Sequence, residues 1–365
     1  MKKERTSIRM IVTGANGHLG NNILRLLEGR NVHVDAMVRP GEKYCNHDNI
    51  SYFEADVRDI EAMRPFFRKS EDERLYAIHT AGIIDITEKG LPDTRSVNIG
   101  GTENIIELCM ENNVDRLVHV SSVHAIPERK KGEVITEVDS FNPELVRGAY
   151  AKSKAEATEK VLEAARHGLD AVVVHPSGII GPYDQSGNHL VQMLTDYVKG
   201  ILPAAVKGGY DFVDVRDVAY GCLEAMLFGR KGECYLLTGE HLEIGSMLEM
   251  ARKITGGRKL VLLPIWIARI ASPMMQLIAR RRRERPLFTS YSLHTLETGS
   301  LFSHEKATAE LGYATRPMSE TIRDTILWYS KPRVKTGRKL SKKIEERNKV
   351  TRSLRKKAWS PCYIL

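Results

Sequence analysis

Three glycines spaced three residues apart follow the first apolar stretch of the chain, in Thr13-Gly14-Ala15-Asn16-Gly17-His18-Leu19-Gly20. The residues before them, Ile8 to Val12, are mostly apolar and β-branched, which is typical of a buried strand. From Leu19 to Leu27 the apolar side chains recur at helical spacing. A strand, a glycine turn and a helix begin a βαβ unit. This start constrains the fold most, because such glycines let a helix pack closely on the strand before it.

The glycine loop suits a dinucleotide. The first glycine permits a tight turn, the second lets the backbone approach a pyrophosphate, and the third allows close helix packing. The N-terminus of the helix offers free N–H groups and the positive end of its dipole to the phosphates. An ordinary tight turn is the alternative, because a glycine triplet alone is a weak signal. The cofactor-binding residues predicted in this loop are Gly14, Asn16, Gly17, His18, Leu19 and Gly20.

The end of the second predicted strand, Val32 to Arg39, indicates which dinucleotide is bound. An acidic residue at this tip would accept hydrogen bonds from the ribose 2′-hydroxyl of NAD. The chain instead has Arg39, with Glu42 as the next acidic residue, and an arginine can form forked contacts with a 2′-phosphate. NADP is therefore favoured and NAD is the alternative. Asp35 competes as a ribose ligand but lies in the middle of the strand, and Arg39 as a solvated loop charge is the other interpretation.

Strands and helices continue to alternate beyond this point, which predicts an α/β fold with a doubly wound parallel sheet of the Rossmann type. Ligands of such sheets bind at the carboxyl ends of the strands. Further strands are predicted at residues 51–57, 75–79, 116–120 and 171–175, and helices at 60–67, 98–112 and 150–166. The residues expected to share the crevice are Gly14, Arg39, Asp56, Ala81, Ser122 and Pro176, and Gly82 completes a small-residue turn that lets a cofactor lie close.

Tyr150 and Lys154 lie four residues apart, so they share one face of a predicted helix. A tyrosine with its ordinary pKa of about 10 carries protons poorly at neutral pH. A nearby ammonium favours the phenolate and makes Tyr150 usable as a general acid or base. Ser122, at the end of a predicted strand, can hydrogen-bond the same substrate oxygen. These three are the predicted catalytic residues; a solvated helix face and a polar strand end are the alternatives.

Taken together, these motifs resemble the extended short-chain dehydrogenase/reductase superfamily, also called the NAD-dependent epimerase/dehydratase family, over about residues 8 to 330. The dihydroflavonol reductase and 3β-hydroxysteroid dehydrogenase-like branch is the most similar, because of Val38-Arg39 and the segment near Trp266. The resemblance implies that Asp56 and Val57 flank the adenine and that Lys154 also binds the nicotinamide ribose. It implies that Pro176, Ser177 and Gly178 border the nicotinamide. It further implies a dimer that pairs through helices such as 98–112 and 150–166.

Two departures from the family pattern bear on the substrate. Sugar-nucleotide dehydratases carry an Asp-Glu pair after the active-site hydroxyl, whereas Val123-His124 follows Ser122 here. Elimination chemistry therefore lacks its acid and base, and His124 could face the substrate instead. Steroid and flavonoid enzymes often have Arg before the proline that follows the sixth strand, where this chain has His175. The predicted substrate-binding residues are Ser122, His124, Tyr150 and Tyr183.

The leading hypothesis is an NADP(H)-dependent oxidoreductase that interconverts a hydroxyl and a carbonyl on a bulky hydrophobic molecule, such as a steroid or flavonoid. A sugar-nucleotide epimerase that retains its NAD is the alternative enzyme. A nucleotide-sensing binding protein on the same fold is the alternative outside catalysis. The intact set of Ser122, Tyr150 and Lys154 argues against that last function, which needs no proton relay.

The predicted organisation has three parts. Residues 1–182 form the nucleotide-binding domain, to which 211–238 return, and 183–330 form a smaller substrate-binding domain. Residues 331–365 hold 13 Lys/Arg against two Glu, so this tail has a charge of +11 and the preceding 330 residues −2. We expect the tail to be disordered or a frayed helix, with attraction to an anionic membrane as a weaker hypothesis and no specific nucleic-acid partner.

The scattered cysteines and the N-terminal sequence favour the cytoplasm. The five cysteines form no Cys-x-x-Cys pair, so we expect neither a disulfide framework nor a metal site. The chain runs from Met1 straight into the first strand, which leaves no room for a signal peptide. Cys362 has prenylation spacing, a short pattern that chance explains better.

Residues 260–279 are mostly apolar and are followed by four consecutive arginines, 280–283, so the segment 260–285 could contact a membrane. Its prolines and Arg269 disfavour a membrane-spanning helix. We favour a wall of the substrate pocket over an interfacial membrane anchor, and either interpretation suggests a bulky apolar substrate.

Overall fold

Seven parallel strands form the central sheet of the protein. The structure is a computed structural model that describes residues 7–44, 48–85, 90–130, 132–270, 272 and 289–330. The strand order is β3-β2-β1-β4-β5-β7-β11. The sheet strands are β1 Ser7–Thr13, β2 His33–Val38, β3 Ile50–Glu54, β4 Glu73–His79, β5 Arg116–Val120, β7 Ala171–Pro176 and β11 Cys234–Leu237. The order reverses between β1 and β4, so the crevice for a ligand opens where these two strands end.

Helices cover both faces of this sheet. The helices of the described residues are α1 His18–Leu27, α2 Ile60–Phe67, α3 Gly101–Glu111, α4 Ala149–Arg166, α5 His189–Val198, α6 Val215–Phe228, α7 Ile244–Thr255, α8 Ser290–Thr298, α9 Glu305–Leu311 and α10 Met318–Ser330, of which α5, α7 and α8 pack against the smaller sheets instead. Residues 265–270 are also helical. Alternate side chains of a strand point to opposite faces. Val12 therefore packs with α1 and α6, whereas Ile11 packs with α2, α3 and α4. The predicted doubly wound parallel sheet is confirmed.

Short strands make three smaller sheets. They are β6 Val134–Ile135, β8 Gly178–Ile180, β9 Ala205–Val206, β10 Gly209–Asp214, β12 Glu240–Glu243, β13 Leu262–Leu263 and β14 Leu301–Phe302. They pair as β12-β10-β8, β13-β9 and β14-β6. All of these strands except β6 follow β7 in the chain, as do α5, α7 and α8. The boundary between two domains near residue 182 stays a prediction, and the basic tail lies outside the described residues.

One predicted helix begins differently from the expectation. Residues Ser96–Gly100 form a π-helical turn before α3 instead of the first turn of one regular helix. Within it, the Asn98 side chain bonds to the backbone of Ile83 at 2.7 and 3.0 Å and to Ser153 Oγ at 3.0 Å. The wide turn thus carries an amide that ties the segment after β4 to α4, a link between distant residues that helical periodicity does not reveal.

A buried ion pair fastens the last part of the described chain to α6. The Arg316 guanidinium contacts Asp217 Oδ1 at 2.6 Å, and the backbone N–H of Arg316 donates to Asp217 Oδ2 at 2.7 Å. Thr321 Oγ1 donates to Asp214 at 2.8 Å. Removing one partner of such a pair leaves an uncompensated buried charge, which is strongly destabilising.

The described part of the apolar segment, 260–270 and 272, has an exposed apolar side. Trp266 is 63% and Ile270 74% exposed, and these residues are four apart on the short helix. Ala268, on the opposite side, is buried with Val206 and Leu293. No helix within the described ranges is long and apolar enough to cross a membrane.

Candidate active site

The glycine loop forms a close-fitting backbone cradle between β1 and α1. Gly14 has a φ of +67°, which favours glycine, and a Cβ there would lie 2.8 Å from the backbone of Ala81. A Cβ on Gly20 would overlap the carbonyl oxygen of Gly14. Gly17 is the N-cap of α1 and offers no side chain to the first N–H groups of that helix. Unsatisfied N–H groups at a helix N-terminus, reached over bare backbone, fit a pyrophosphate.

The other residues of the loop have side chains that point away from this cradle. His18 Nε2 bonds to the carbonyl of Pro182 at 3.1 Å, and its Nδ1 bonds to the amide of Asn188 at 3.2 Å. Leu19 is buried in the core. These two residues are therefore suited to meet a phosphate through their backbone N–H groups. His18 also joins the loop to the segment that follows β8, a link that spacing alone did not predict.

Arg39 lies at the rim of the cradle with its charge paired locally. It is 79% exposed, and its guanidinium donates two hydrogen bonds to Glu42 Oε1, at 2.8 and 2.6 Å. Asn16 donates to the other oxygen of Glu42 at 3.1 Å. Asp35, the competing ribose ligand, is bound instead to Arg9 of the neighbouring strand at 2.8 Å. Arg39 and Asn16 thus both donate hydrogen bonds to Glu42, which is not among the predicted site residues.

Asp56 and Val57 follow the end of β3. The Asp56 carboxylate receives a forked pair of hydrogen bonds from Arg58, at 2.9 and 2.7 Å, and this bonding holds the pKa of Asp56 below its usual value. Val57 is buried, and its carbonyl accepts from Asn104 at 2.8 Å. A Cβ on Gly101 would clash with the Val57 side chain, so the first residue of α3 must be small.

Ala81 and Gly82 connect the cradle to α4. The Ala81 N–H donates to Thr13 Oγ1 at 3.3 Å, which holds the turn after β4 against the end of β1. A Cβ on Gly82 would lie 3.5 Å from Lys154 Nζ and 3.2 Å from Asn98 Oδ1. The missing side chain therefore leaves space between the cradle and the lysine.

Tyr150, Lys154 and Ser122 meet where β5 ends and α4 begins. Gly148 precedes α4 with a φ of +88°, and Tyr150 stands in the first turn of the helix. Lys154 is one turn further, and its Nζ donates to the carbonyl of Val120 at 2.8 Å. The Ser122 hydroxyl accepts from the backbone N–H of His124 at 3.3 Å. All three side chains are buried, so a substrate oxygen placed among them would be shielded from water.

Burial controls the acidity of the tyrosine and the lysine. It raises the pKa of Tyr150 to about 12, and the Ser122 hydroxyl acts in the opposite direction. It lowers the pKa of Lys154 to about 8. The pKa of Tyr150 is thus not below its ordinary value, as the nearby ammonium led us to expect, because desolvation of the phenolate dominates in this structure. Tyr150 is therefore protonated at neutral pH and is a proton donor in this state.

Three buried histidines lie beneath Lys154 on neighbouring strands. Burial, with the lysine charge as a further cause, lowers the pKa of His79 to about 3 and that of His119 well below its usual value. His175 has a pKa of about 4, again mainly through burial. Its Nδ1 bonds to the carbonyl of Ser122 at 3.0 Å, so this imidazole holds the strand end that carries the serine. The three rings are therefore uncharged at neutral pH and add no charge beside Lys154.

Pro176, Ser177 and Gly178 follow directly from His175. Pro176 ends β7, and the Ser177 side chain is buried. A Cβ on Gly178 would lie 2.9 Å from the carbonyl oxygen of Asp211 and 3.1 Å from the rings of Tyr210 and Phe212. The close pairing of β8 with β10 is thus a sufficient reason for a glycine at position 178.

A cavity of about 320 Å³ opens at the turn that follows Ser122; Ser122 and Tyr150 themselves are not among the residues that line it. His124 lines it, with its ring 6.2 Å from that of Tyr150 between centroids. Two tyrosines also line the cavity, Tyr210 on β10 and Tyr291 on α8. Neither is among the predicted site residues, because no local motif marks either one. The remaining lining residues are Val123, Ile126, Glu128, Ile135, Glu144, Leu145, Val146, Arg147, Thr295, Thr298, Ser300 and Phe302.

Tyr183 lies apart from the other predicted substrate-binding residues. Its φ is +67°, and the guanidinium of Arg25 lies 3.9 Å from its ring centroid. Trp328 meets the same ring edge to face at 6.0 Å. Of the four predicted substrate-binding residues, His124 lines the cavity and Ser122, Tyr150 and Tyr183 do not, so a role of Tyr183 in substrate binding stays a prediction.

Comparison with known proteins agrees with this geometry. Residues 10–245 match the model of the NAD dependent epimerase/dehydratase family. The chain is 32% identical to sterol demethylase protein B of Methylococcus capsulatus, over 87% of this chain and 97% of that protein. It is 27% identical to a putative dihydroflavonol 4-reductase of Synechocystis, over 87% and 93%. The crystal structure of gox2253 superposes with a TM-score of 0.74 at 30% identity and covers 89% of this chain and 99% of that one.

The chain belongs to the NAD-dependent epimerase/dehydratase family, the extended short-chain dehydrogenases/reductases. It is an NAD(P)-dependent enzyme of that type. The glycine cradle, with its two positions where a Cβ would clash, fits such a cofactor.

Proposed function

We propose that the protein is an NADP(H)-dependent reductase or dehydrogenase that interconverts a ketone and an alcohol on a bulky hydrophobic molecule. The observation that supports this most is the placement of Tyr150, Lys154 and Ser122. They lie together at the carboxyl end of β5, separated from the glycine cradle only by the turn of Ala81 and Gly82. A carbonyl beside Tyr150 would thus lie next to a cofactor seated on the cradle.

Each of the three side chains has one task in this proposal. The Ser122 hydroxyl donates a hydrogen bond to the carbonyl oxygen and holds it beside Tyr150. The protonated Tyr150 phenol gives its proton to that oxygen as negative charge develops there. Lys154 places a positive charge behind the phenol and stabilises the phenolate that remains. A nicotinamide cofactor, when bound on the glycine cradle, would supply the hydride for reduction and would accept it for oxidation. The roles of Ser122 and Tyr150 reverse for alcohol oxidation.

The relatives support a hydrophobic substrate with rings. The exposed surface of the cavity is mostly polar, and Val123, Ile126 and Phe302 add apolar side chains to it while the phenols of Tyr210 and Tyr291 add flat surfaces. One relative is named for sterols and the other for a dihydroflavonol. We propose a polycyclic alcohol or ketone of this general kind.

The proposed test measures NADPH consumption directly. The purified protein is mixed with NADPH and with steroid ketones, flavonoid ketones or simple aldehydes, and absorbance at the nicotinamide band is followed. We expect a net decrease with a polycyclic ketone, and a loss of at least a hundredfold in Tyr150→Phe. Tyr197→Phe is the matched control, because it removes a hydroxyl that bonds to the carbonyl of Arg258 at 2.9 Å, far from the site in sequence. Constant absorbance during turnover of a sugar nucleotide would support an epimerase instead.

Arg39 supports NADP over NAD. Its pairing with Glu42 is exposed, and such pairs contribute about 0–1 kcal/mol. A 2′-phosphate can therefore compete with Glu42 for the guanidinium. We expect Arg39→Ala to lower the ratio of kcat/KM for NADPH over NADH by tenfold or more. Arg74→Ala, at an exposed position on β4, should leave this ratio unchanged. A wild-type protein that prefers NADH would refute this part of the proposal.

A homodimer, a cytoplasmic location and peripheral membrane contact stay predictions. Light scattering during size-exclusion chromatography would measure the mass of the particle in solution. A mass of one chain would refute the pairing through α3 and α4.

A further inference from the structure

One face of α8 carries hydroxyl groups to the cavity. Helix positions three or four residues apart lie on the same face, and Tyr291, Thr295 and Thr298 follow this spacing. All three line the cavity, and so does Ser300, which lies just beyond the end of the helix. These four residues form the hydroxyl strip. A helix rises about 1.5 Å per residue, so the strip is about 10 Å long from Tyr291 to Thr298.

Close packing on both ends of α8 holds this face toward the cavity. Leu293, on the opposite side of the helix, is buried. A Cβ on Gly208, just before β10, would lie 2.7 Å from the carbonyl oxygen of Leu296. A Cβ on Gly148, just before α4, would lie 2.9 Å from the ring of Tyr291. The two glycines thus let neighbouring segments meet α8 directly, and the orientation of the strip is set by the fold.

The hydroxyl groups of the strip offer mainly acceptors to a ligand. Thr295 Oγ1 donates to the carbonyl of Tyr291 at 3.1 Å, and Thr298 Oγ1 donates to the carbonyl of Thr295 at 3.0 Å. Ser300 Oγ donates to Thr298 Oγ1 at 3.4 Å. These protons are used within the protein, but a hydroxyl oxygen has two lone pairs that can accept. A ligand group that donates a hydrogen bond therefore fits the strip.

The charges of the cavity wall favour a neutral donor. Glu128 and Glu144 also line the cavity and add carboxylate acceptors. Each of them already has a partner, because Glu128 contacts His294 at 3.1 Å and Glu144 contacts Lys152 at 2.9 Å. Arg147 adds a positive charge to the same wall, so the carboxylates do not need a cationic ligand. A group that can only accept would leave buried polar groups unpaired, whereas a hydroxyl can donate.

We propose that the hydroxyl strip binds a hydroxyl group at the end of the substrate remote from the reacting carbonyl. This rests on the proposed function, in which Tyr150 and Ser122 hold the carbonyl. Neither of these two residues lines the cavity, so the part of the substrate that fills the cavity is not its carbonyl. The substrate is then an amphipathic ring compound whose far end donates a hydrogen bond. Thr295 and Thr298 determine this specificity.

The test compares ketosteroids that differ only at the end of the ring system opposite the ketone. The parent is 5α-androstan-3-one, and the derivatives carry a 17β-hydroxyl or a 17β-methoxy group. The measured quantity is the ratio of kcat/KM for each derivative over the parent, with NADPH. We expect the wild type to prefer the hydroxyl derivative roughly five- to tenfold, as one added hydrogen bond predicts. The methyl ether can only accept, so it should not be preferred.

Replacing the strip threonines with valine removes the acceptors at nearly constant volume. Thr295→Val and Thr298→Val should each lower the preference for the hydroxyl derivative, and the double variant should bring the ratio to about one. Thr325→Val is the matched control, because Thr325 Oγ1 also donates to a carbonyl four residues earlier in its helix, that of Thr321 at 2.6 Å, and does not line the cavity. This control should keep the wild-type ratio.

Circular dichroism and NADPH titration accompany each variant, so a folding defect is separated from a change in specificity. Equal ratios in the wild type and the double variant would overturn the inference while leaving the proposed function standing. An equal preference for the hydroxyl and the methyl ether would overturn it as well. No oxidation of NADPH with any ketone would reject the proposed function, and the inference would fall with it.

Discussion

Replacing Lys154 with methionine removes a cation that the fold buries at a measurable cost. Burial lowers the pKa of Lys154 from 10.5 to about 8. The unfolded chain therefore binds this proton more tightly than the folded protein does. The resulting destabilisation is fully present below pH 8 and disappears as the pH rises from 8 to 10.5. A difference of about 2.5 pH units corresponds to about 3 kcal/mol in the free energy of unfolding.

Most of this destabilisation disappears within a pH range in which unfolding can be measured. Between pH 7 and pH 9.5 the wild type should recover about 2 kcal/mol from this group alone. Lys154→Met lacks the titrating group and should recover none of it. The variant also loses the hydrogen bond to the carbonyl of Val120, but the neutral amine donates that bond too, so this loss is the same at both pH values. The quantity to compare is thus the change with pH of the difference between the two proteins.

Urea unfolding of both proteins without nucleotide, followed by circular dichroism at pH 7 and pH 9.5, measures this difference. Lys152→Met is the control, because that lysine lies two residues earlier on the same helix and pairs with Glu144 at the surface. We expect no comparable change with pH for the control. If the stability difference between wild type and Lys154→Met were the same at both pH values, the reasoning from burial would be refuted.

Three further predictions follow from packing and exposure. Gly20→Ala should abolish NADPH binding in a fluorescence titration or lower Tm strongly, because its Cβ would overlap the Gly14 carbonyl. In the control Gly100→Ala, the added Cβ enters open space, so this variant should bind NADPH normally. Arg316→Ala should lower the free energy of unfolding by about 3–5 kcal/mol in urea melts, because the buried Asp217 would lose the guanidinium that balances its charge. A loss below about 1 kcal/mol would contradict this. Trp266→Glu should lower recovery of the full chain with phosphatidylserine vesicles, and equal recovery would remove the apolar segment as a membrane contact.

Local patterns predicted the order of the elements closely. The helix at 60–67 and the strand at 116–120 have the predicted bounds, because each is a short amphipathic or apolar run with clear ends. The glycine loop was identifiable for the same reason: turn, cradle and helix start are adjacent in the chain. The family assignment, which the comparisons confirm, rests on motifs of this local kind.

Contacts between distant residues were beyond such patterns. Tyr210 and Tyr291 reach the cavity from β10 and α8, and no motif surrounds either one. The ring of Tyr183 packs against Arg25 and Trp328, contacts that its neighbours in the chain do not reveal, and its role in substrate binding stays a prediction. The acidity of Tyr150 was also misjudged, since adjacency to Lys154 can be seen in the sequence whereas the extent of burial cannot.

The amino-acid sequence by itself determined the parallel sheet, the glycine cradle and the one-turn spacing of Tyr150 and Lys154. These depend on periodicity and on neighbours along the chain. Only the tertiary structure decided which side chains share the cavity and how far each ionisable group is desolvated. Those properties depend on which segments pack together: the pairing of Gly178 on β8 with Phe212 on β10, for example, brings this glycine against the rings of Tyr210 and Phe212.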